Sequence, residues 1–365
     1  MQRIKSLDTL RGFIMLAMVW VHLCDWWLRE EDIWFSNAIL PVLKLIFGPG
    51  FLLLAGISIV LSYRKSLIKI TKVDDFNHNI LKREYFFRAA FILIVALGYN
   101  SFVALQFFNP LDLWKWFMLL TMSISLFIAW PLLKASKYMR LALAIIIWIL
   151  NYFIFNYLLP YQGQNNVNGI IYYFLYNSND VIPFPHYFSY VLIGTIIGEV
   201  IFEVFRIDNQ IERKILLKKK ITVPSLILGV PLVIISVILD PQLLLERTSF
   251  IWIVFAMGIN LILLSVFLGF EDLKLRINKR RFKFLFYYSY YSLTIYLVHN
   301  ISYFFFLNKL NILHFWIFVA LYCLIFGLVL RLIHNKFGPK FSIKIQVGRL
   351  SSALAKRLEK INPYN

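Results

Sequence analysis

The sequence has little cysteine, little acidic charge and no glycine-rich phosphate loop. Its two cysteines, Cys24 and Cys323, both lie in apolar runs. They form no disulfide framework and suggest no zinc site, and they leave the redox compartment open. Acidic residues number 19 against 38 lysines and arginines, and charged residues are only 16% of the chain. No region has the composition of a soluble domain, and no residue cluster has zinc-ligand spacing, so we expect no metal.

Apolar residues dominate instead. They make up 60% of the 365 residues, and aromatic residues make up 18%, including 35 phenylalanines. A soluble core cannot bury that much apolar surface, whereas repeated apolar stretches of ~20 residues fit a bilayer. We predict an all-α polytopic membrane protein of about ten transmembrane helices, with one domain over 1–338 and a basic amphipathic cytoplasmic tail over 339–365. The predicted spans are 10–28, 37–63, 85–107, 112–133, 138–160, 181–205, 221–240, 248–269, 285–307 and 313–335.

The net charge of +19 suggests a nucleic-acid partner, but the placement of the charges argues against one. Basic residues cluster in alternate loops, and the loops between them hold more acids, such as Glu30, Glu31 and Asp32. This is the positive-inside pattern for a protein with both termini cytoplasmic. We interpret the basic runs as topology signals that touch anionic membrane lipid. They are Arg3 and Lys5, 64–83, 134–140, 206–220, 274–283 and the tail after Arg331.

Both ends of the chain bear on its location. The first apolar stretch is not a cleaved signal peptide, because Arg11 interrupts its start and no small-residue cleavage site follows. Without another targeting segment, we expect an integral protein of a prokaryotic plasma membrane. The tail is predicted to be an interfacial helix that acts as an anchor, since its apolar residues lie near one helical face. These residues are Leu350, Leu354, Leu358 and Ile361. Oligomeric state stays open, with a homodimer as one alternative.

The first predicted helix carries a line of ionisable residues. Arg11 and His22 are 11 positions apart, which places them within roughly 20° on one helical face and ~16 Å apart along the axis. Asp8 precedes Arg11 by three positions and Asp25 follows His22 by three, so each can contact its neighbour. One interpretation is an interfacial ion pair and a hydrogen-bonded core histidine. However, ionisable groups inside a membrane mark functional sites by default, and we interpret the line as a candidate site.

The ninth predicted helix adds a second histidine. His299 lies ~21 Å from the inner end of that helix, and His22 lies ~20 Å into the first. Two histidines at similar depth on parallel helices predict a shared cavity, with Asn300 beside it, if the two helices are neighbours. The alternative is that His299 and Asn300 only make hydrogen bonds that pack helices together.

Several short motifs occur in the same order as in a known family of membrane proteins. The stretch Ser-Leu-Asp-Thr-Leu-Arg-Gly at 6–12, followed by His22, resembles the opening of the heparan-alpha-glucosaminide N-acetyltransferase catalytic-domain family. Arginine, ten residues and then histidine, as in Arg11 and His22, also resembles the more distant acyltransferase family 3. Further similar stretches are 51–58, 83–88, 179–185 running on to Gly194 and Gly198, and 292–300.

This resemblance implies acyl transfer from cytosolic acyl-CoA, expected to be acetyl-CoA, to a hydroxyl or amine of a carbohydrate or envelope acceptor. A histidine suits the general base because its pKa lies near operating pH, and an arginine suits the phosphates of CoA. The residues assigned on this basis are His22, Asp25 and His299 as catalytic, Arg11 and Arg88 as cofactor-binding, and Asn300, Asp180 and Ser58 as substrate-binding.

Some residues support other interpretations. Arg88 starts the third predicted helix, where snorkelling to lipid headgroups is the alternative to binding CoA. His186 is interpreted as an interfacial side chain, with a site role as the alternative. Residues 194–198 are interpreted as a close helix contact. A different class of function also remains open, because a transporter or flippase would use the same polar cavity without chemistry.

Overall fold

The fold is almost entirely helical. The computed structural model describes residues 4–73, 76–106, 108–177, 183–245, 249–277 and 283–361. Its α-helices are α1 Lys5–Trp27, α2 Ile33–Ile70, α3 His78–Gln106, α4 Met118–Leu132, α5 Lys137–Leu158, α6 Val167–Leu175, α7 Phe184–Phe205, α8 Gln210–Leu217, α9 Val223–Leu239, α10 Phe250–Ile277, α11 Lys283–Tyr290, α12 Ser292–Val298, α13 Ile312–Phe337 and α14 Ile343–Ile361. Short 3₁₀ segments occupy Glu30–Asp32, Pro110–Trp114, Leu159–Tyr161, Leu243–Leu245, His299–Phe304 and Gly338–Phe341, and a π-helical turn covers Lys218–Thr222.

Nine helical segments within these ranges are long and apolar enough to cross a membrane. They coincide with nine of the ten predicted spans. In the same ranges the only β-type pairing is a single bridge between Leu28 and Leu310. The prediction of an all-α polytopic membrane protein is confirmed. The short helices α6 and α8 fall outside the predicted spans.

The remaining predicted span, the ninth at 285–307, is not one continuous helix. It consists of α11, α12 and the 3₁₀ segment that starts at His299, with an interruption at Tyr291. The carbonyl of Ser289, just before the interruption, accepts a hydrogen bond from Nζ of Lys344 at 2.9 Å. The side chain of Lys344, in the first turn of α14, therefore pairs a carbonyl group beside the break, which lowers the cost of interrupting the helix.

The central helix pair, α2 and α7, packs backbone against backbone. A Cβ atom added at Gly56 would lie 2.1 Å from the carbonyl oxygen of Val191, and one added at Gly194 would lie 2.2 Å from that of Leu53. Small residues allow this approach, which in a membrane supplies the packing that drives helix association. The interpretation of 194–198 as a close helix contact is confirmed.

Helices α1 and α11 make a second close contact. A Cβ atom at Gly12 would lie only 1.9 Å from the carbonyl oxygen of Leu285. At the other end of α1, Nε1 of Trp27 donates to the carbonyl oxygen of Ser302 at 2.8 Å. The first and ninth predicted helices are therefore neighbours along their length, which meets the condition on which the shared histidine site was predicted.

A buried ion cluster joins three helices at one end of the bundle. Here α1, α3 and α5 begin and α2 and α7 end, and we call it the basic end. Glu199 of α7 pairs with Arg64 of α2 and with Arg140 of α5. Arg140 is fully buried and also donates to Oγ1 of Thr195 at 3.0 Å. A charge so buried needs such partners. The sequence suggested only a topology signal at Arg140.

The tail helix α14 packs along α3. Its Glu359 pairs with Arg83 at 2.9 Å, and the side of α14 toward the protein buries Val347, Ser351 and Ala355. The four apolar residues of the predicted membrane face are exposed at 37–63%. This arrangement is what an interfacial helix requires, and the anchoring role stays a prediction. The exposed residues are Leu350, Leu354, Leu358 and Ile361.

We predict that Gly56→Ala destabilises the protein, because the added methyl group would overlap the carbonyl group of Val191. Overpacking of this kind costs about 1–3 kcal/mol, occasionally more. The measurement is the thermal unfolding midpoint in detergent. The matched control is Gly98→Ala on α3, where an added Cβ meets no atom within 4 Å. Equal midpoints for the two variants would contradict the close contact.

Candidate functional site

Two histidines meet where α1 faces the 3₁₀ segment after α12. The ring centroids of His22 and His299 are 5.0 Å apart. Trp26 stacks on His22 at 5.2 Å and lies 5.8 Å from His299. His22 is half-buried, whereas His299 is only 2% exposed. The structure thus brings the two predicted histidines together, and we call them the imidazole pair.

The orientation of His299 is fixed by the backbone. Its Nδ1 lies 2.7 Å from the carbonyl oxygen of Tyr296. A carbonyl oxygen only accepts hydrogen bonds, so Nδ1 carries a proton, and in the neutral ring Nε2 is then the acceptor. Nε2 is buried and has no hydrogen-bond partner among the described residues. A neutral His299 therefore has an acceptor nitrogen to which none of the described residues donates.

Asn300 lies beside the imidazole pair and joins it to α3. Its Nδ2 donates to Oη of Tyr99 at 2.7 Å. The ring of Tyr99 packs on Phe117, just before α4, and on Tyr296 of α12, both at 5.5 Å. Aromatic rings of Trp26 and Tyr296 therefore pack on the histidines, and Tyr99 packs on Tyr296 in turn. Such mixtures of aromatic surface and a few polar groups are typical of small-molecule sites.

Asp25 is exposed and faces α2. Its carboxylate accepts a hydrogen bond from Oγ of Ser36 at 3.2 Å. This contact joins the end of α1 to the start of α2. The expected role of Asp25 in orienting His22 stays a prediction.

Arg11 and Ser58, two further predicted site residues, are in contact. Nη2 of Arg11 donates to Oγ of Ser58 at 2.5 Å. Its Nη1 lies 3.5 Å from Oδ1 of Asp8, which in turn accepts from Oγ of Ser289 at 3.4 Å. Helices α1, α2 and α11 therefore meet around this guanidinium group. It lies at the basic end of the bundle, ~16 Å along α1 from His22.

Arg88 reaches the same face of α2 from α3. Its Nη1 lies 3.5 Å from Oγ of Ser62, and its Nη2 lies 3.4 Å from Oε1 of Glu84. Ser62 is one helical turn from Ser58, so the two serines share a face of α2. The two predicted donor-binding arginines, Arg11 and Arg88, consequently converge on neighbouring turns of one helix.

Two candidate residues remain, Asp180 and His186. Asp180 lies outside the described residues. His186 is buried rather than interfacial, with Nδ2 of Asn151 at 3.0 Å from its Nδ1. Oη of Tyr176 donates to Oδ1 of the same Asn151 at 3.0 Å. Asn151, a polar residue inside an apolar stretch, was the signal for this network that sequence reasoning missed.

No group of three or more potential metal ligands among His, Cys, Asp and Glu occurs in the part of the chain that the structure describes. The expectation that the protein uses no metal stays a prediction.

Comparison with known proteins adds one match. A family model described as "Heparan-alpha-glucosaminide N-acetyltransferase, catalytic" matches residues 3–235, well over half of the chain. A search of curated proteins found no match. The matched region includes Arg11, His22 and Arg88, whereas His299 and all of α14 lie beyond it.

We predict that His299→Asn keeps the stability of the protein, because the asparagine amide can replace Nδ1–H as donor to the Tyr296 carbonyl. His299→Leu removes that donor, and we expect a loss of about 0.5–2 kcal/mol, the range for polar contacts inside membrane proteins. The comparison is between thermal midpoints in detergent. If the leucine variant were as stable as the asparagine variant, the hydrogen bond would not matter.

Proposed function

Because the chain belongs to the heparan-alpha-glucosaminide N-acetyltransferase catalytic family, we propose that it transfers an acyl group, expected to be acetyl, from acyl-CoA to an acceptor at the imidazole pair. Members of this family are membrane enzymes of the acetyltransferase type. The donor, the acceptor and the residues named below are parts of our proposal. The acceptor group is a hydroxyl or an amine.

The observation that carries the proposal is the arrangement along α1. The guanidinium group of Arg11 lies at the basic end, and His22, ~16 Å further along the helix, meets His299. Phosphates held by Arg11 would leave the thioester of an extended pantetheine arm near His22. Arginine binds phosphate through paired hydrogen bonds, which suits Arg11 and Arg88 to the charged head of the donor.

We assign the general base to His22. This ring is half-buried, so an acceptor can reach it, whereas His299 is almost fully enclosed. His22 takes the proton of the acceptor, whose oxygen or nitrogen then attacks the thioester carbonyl carbon. The tetrahedral intermediate collapses as the carbon–sulfur bond breaks, and the departing thiolate of CoA takes the proton from His22. Both products leave, and His22 is neutral again.

His299 is assigned a positioning role. A centroid separation of 5.0 Å is short enough for a ring nitrogen of His22 to donate to Nε2 of His299. That hydrogen bond stabilises His22 once it is protonated. The Tyr296 carbonyl, His299 and His22 then form a chain in which each group orients the next, which is the general logic of catalytic triads. Asn300 and Tyr99 are assigned to binding of the acceptor or the thioester.

Topology and acceptor follow from the same assignment. Acyl-CoA is a cytosolic molecule, so the basic end faces the cytoplasm, in agreement with the positive-inside pattern. The acceptor approaches the imidazole pair from within or across the membrane. We propose that the acceptor is a carbohydrate or another envelope molecule and that the protein lies in a prokaryotic plasma membrane. For the oligomeric state, a homodimer is the alternative to a monomer.

A transporter or flippase remains the alternative function, because polar cavities in membranes also serve transport. The two proposals differ in what purified protein does with acyl-CoA. Release of CoA that requires His22 supports the transferase. Movement of the acceptor across vesicles that persists in His22→Ala, without CoA release, would favour transport.

We predict that His22→Ala lowers the rate of acyl transfer at least about a hundredfold, since a general base contributes ~10²–10⁴-fold. Binding of acyl-CoA should change little, because the phosphates lie at the other end of α1. Transfer is followed by CoA release, and binding by titration calorimetry. The control is His314→Ala, which alters an exposed histidine at the start of α13. Near-native turnover in His22→Ala would end the mechanism.

We predict that Arg11→Ala weakens acyl-CoA binding by about 10- to 100-fold, because hydrogen bonds to charged groups contribute about 1.5–3 kcal/mol. Arg11→Lys should recover only part of this, since lysine keeps the charge and loses the planar fork. Affinity is measured by titration, and Arg331→Ala, an exposed arginine of α13, is the matched control. Unchanged affinity in Arg11→Ala would show that its contacts with Asp8 and Ser58 are only structural.

A further inference from the structure

Helix α4 starts inside the membrane rather than at its surface. Only Met118–Leu132 of the predicted span 112–133 is α-helical, and α4 ends shortly before α5 begins at the basic end. Its 15 residues are ~22 Å long, which is shorter than the ~30 Å hydrocarbon core of a bilayer. The first turn of α4 therefore lies at about the depth of His22, which is ~20 Å into the first helix.

The start of α4 is one side chain away from each member of the imidazole pair. The phenol group of Tyr296 is hydrogen-bonded to the backbone of Met118, and its ring lies 5.7 Å from that of His299. On the other side, Cε of Met118 lies 3.7 Å from a Cβ atom added at Gly48. The ring of the preceding Phe47 lies 6.5 Å from that of the other histidine. The first turn of α4 thus borders the proposed site of acyl transfer.

This turn supplies buried backbone donors. The first N–H groups of an α-helix have no acceptor within the helix and carry the positive end of its dipole. Phe117, the residue before α4, provides no side-chain cap. Leu119 and Leu120 are 2% and 0% exposed, so their N–H groups lie away from solvent. Donors in such a place favour a partner that brings negative charge.

A buried hydroxyl group points to the same turn. Thr121 is 0% exposed, and its Oγ1 has no hydrogen-bond partner among the described residues. Elsewhere in the protein, the hydroxyl groups of Thr9 and Ser58 donate to the carbonyl oxygen four positions earlier. Thr121 makes no such bond to Phe117. Because a helical side chain is tilted toward the start of its helix, this hydroxyl group lies over the first turn of α4, where it can donate to a ligand.

We propose that the first turn of α4 stabilises the negative charge that develops on the thioester oxygen during acyl transfer, with the hydroxyl group of Thr121 as its side-chain donor. This inference rests on the proposed function. When the acceptor attacks the carbonyl carbon, an electron pair of the C=O bond moves to the oxygen, and it returns as the carbon–sulfur bond breaks. Donors fixed in a site without water stabilise that intermediate more than the ground state. The alternative is that Thr121 only packs between helices.

The direct test is infrared spectroscopy of acetyl-CoA, isotope-labelled at its thioester carbonyl and bound to the full-length protein in detergent. A hydrogen bond to the carbonyl oxygen weakens the C=O bond and lowers its stretching frequency. We expect Thr121→Val to shift the bound band to higher frequency, and Thr121→Ser to leave it in place. Ser125→Ala is the matched control. Ser125 also has a buried hydroxyl group without a partner among the described residues, but one turn further from the start of α4.

Kinetics give a second measurement. We expect Thr121→Val to lower kcat for release of CoA from acetyl-CoA about 10- to 100-fold, the effect of losing one hydrogen bond to a charged group. KM for acetyl-CoA should stay within about threefold, because the hydrogen bond strengthens in the transition state. Thr121→Ser should recover most of the rate. Water is the acceptor in this assay, so the result does not depend on the identity of the natural acceptor.

Folding is followed by the thermal midpoint. Valine has nearly the shape of threonine, and a buried hydroxyl group without a partner contributes no hydrogen bond, so Thr121→Val should keep or raise the midpoint. If valine does not fit, Thr121→Ala compared with Thr121→Ser tests the same hydroxyl group with smaller side chains.

The outcomes separate the two proposals. If the unmodified protein does not bind acetyl-CoA, the proposed function fails and the inference with it. If it binds acetyl-CoA and Thr121→Val leaves the carbonyl band unchanged, only the inference is overturned, and a lower kcat with a lower midpoint would then reflect packing. Equal shifts in Thr121→Val and Ser125→Ala would also overturn it, since the effect would not depend on the start of α4.

Discussion

The arrangement of this protein depends on the backbone contact between α1 and α11. Gly12 lets the two helices approach until a single added carbon would overlap the carbonyl group of Leu285. Because α12 and the following 3₁₀ segment continue from α11, this approach also sets the distance between His22 and His299. At the basic end it brings Asp8 to Ser289. One glycine therefore sets the spacing at both ends of the polar line.

The polar residues of α1 have partners at each level, which explains why a membrane helix can carry them. The guanidinium group at its start is held by a carboxylate and a serine hydroxyl group. Deeper in the bundle, His22 lies between aromatic rings and a second imidazole. An isolated ionisable group at this depth would be costly, whereas a shared polar interior lowers that cost for all its members.

Helix content and the polar line could be predicted from sequence, because apolar length and helical spacing are local properties. The pairing of His22 with His299 could be predicted only on the condition that the first and ninth helices are neighbours, since the spacing of residues along a sequence does not say which helices touch. The burial of Arg140 was missed because its carboxylate partner, Glu199, is 59 positions away. The break at Tyr291 was missed for a similar reason, since the side chains that donate to the carbonyl groups beside it come from residues some 50 positions later.

The buried charge of Arg140 also constrains how the chain enters the membrane. This arginine belongs to α5, but Glu199 and Thr195 belong to α7, with α6 between them. During synthesis α5 is therefore complete before Glu199, the carboxylate that pairs with Arg140, has been made. We expect Arg140 to stay at the membrane surface, extended toward headgroups, until α7 inserts beside it. Insertion of α5 to its final depth is then a late step of assembly, coupled to a helix made two segments afterwards.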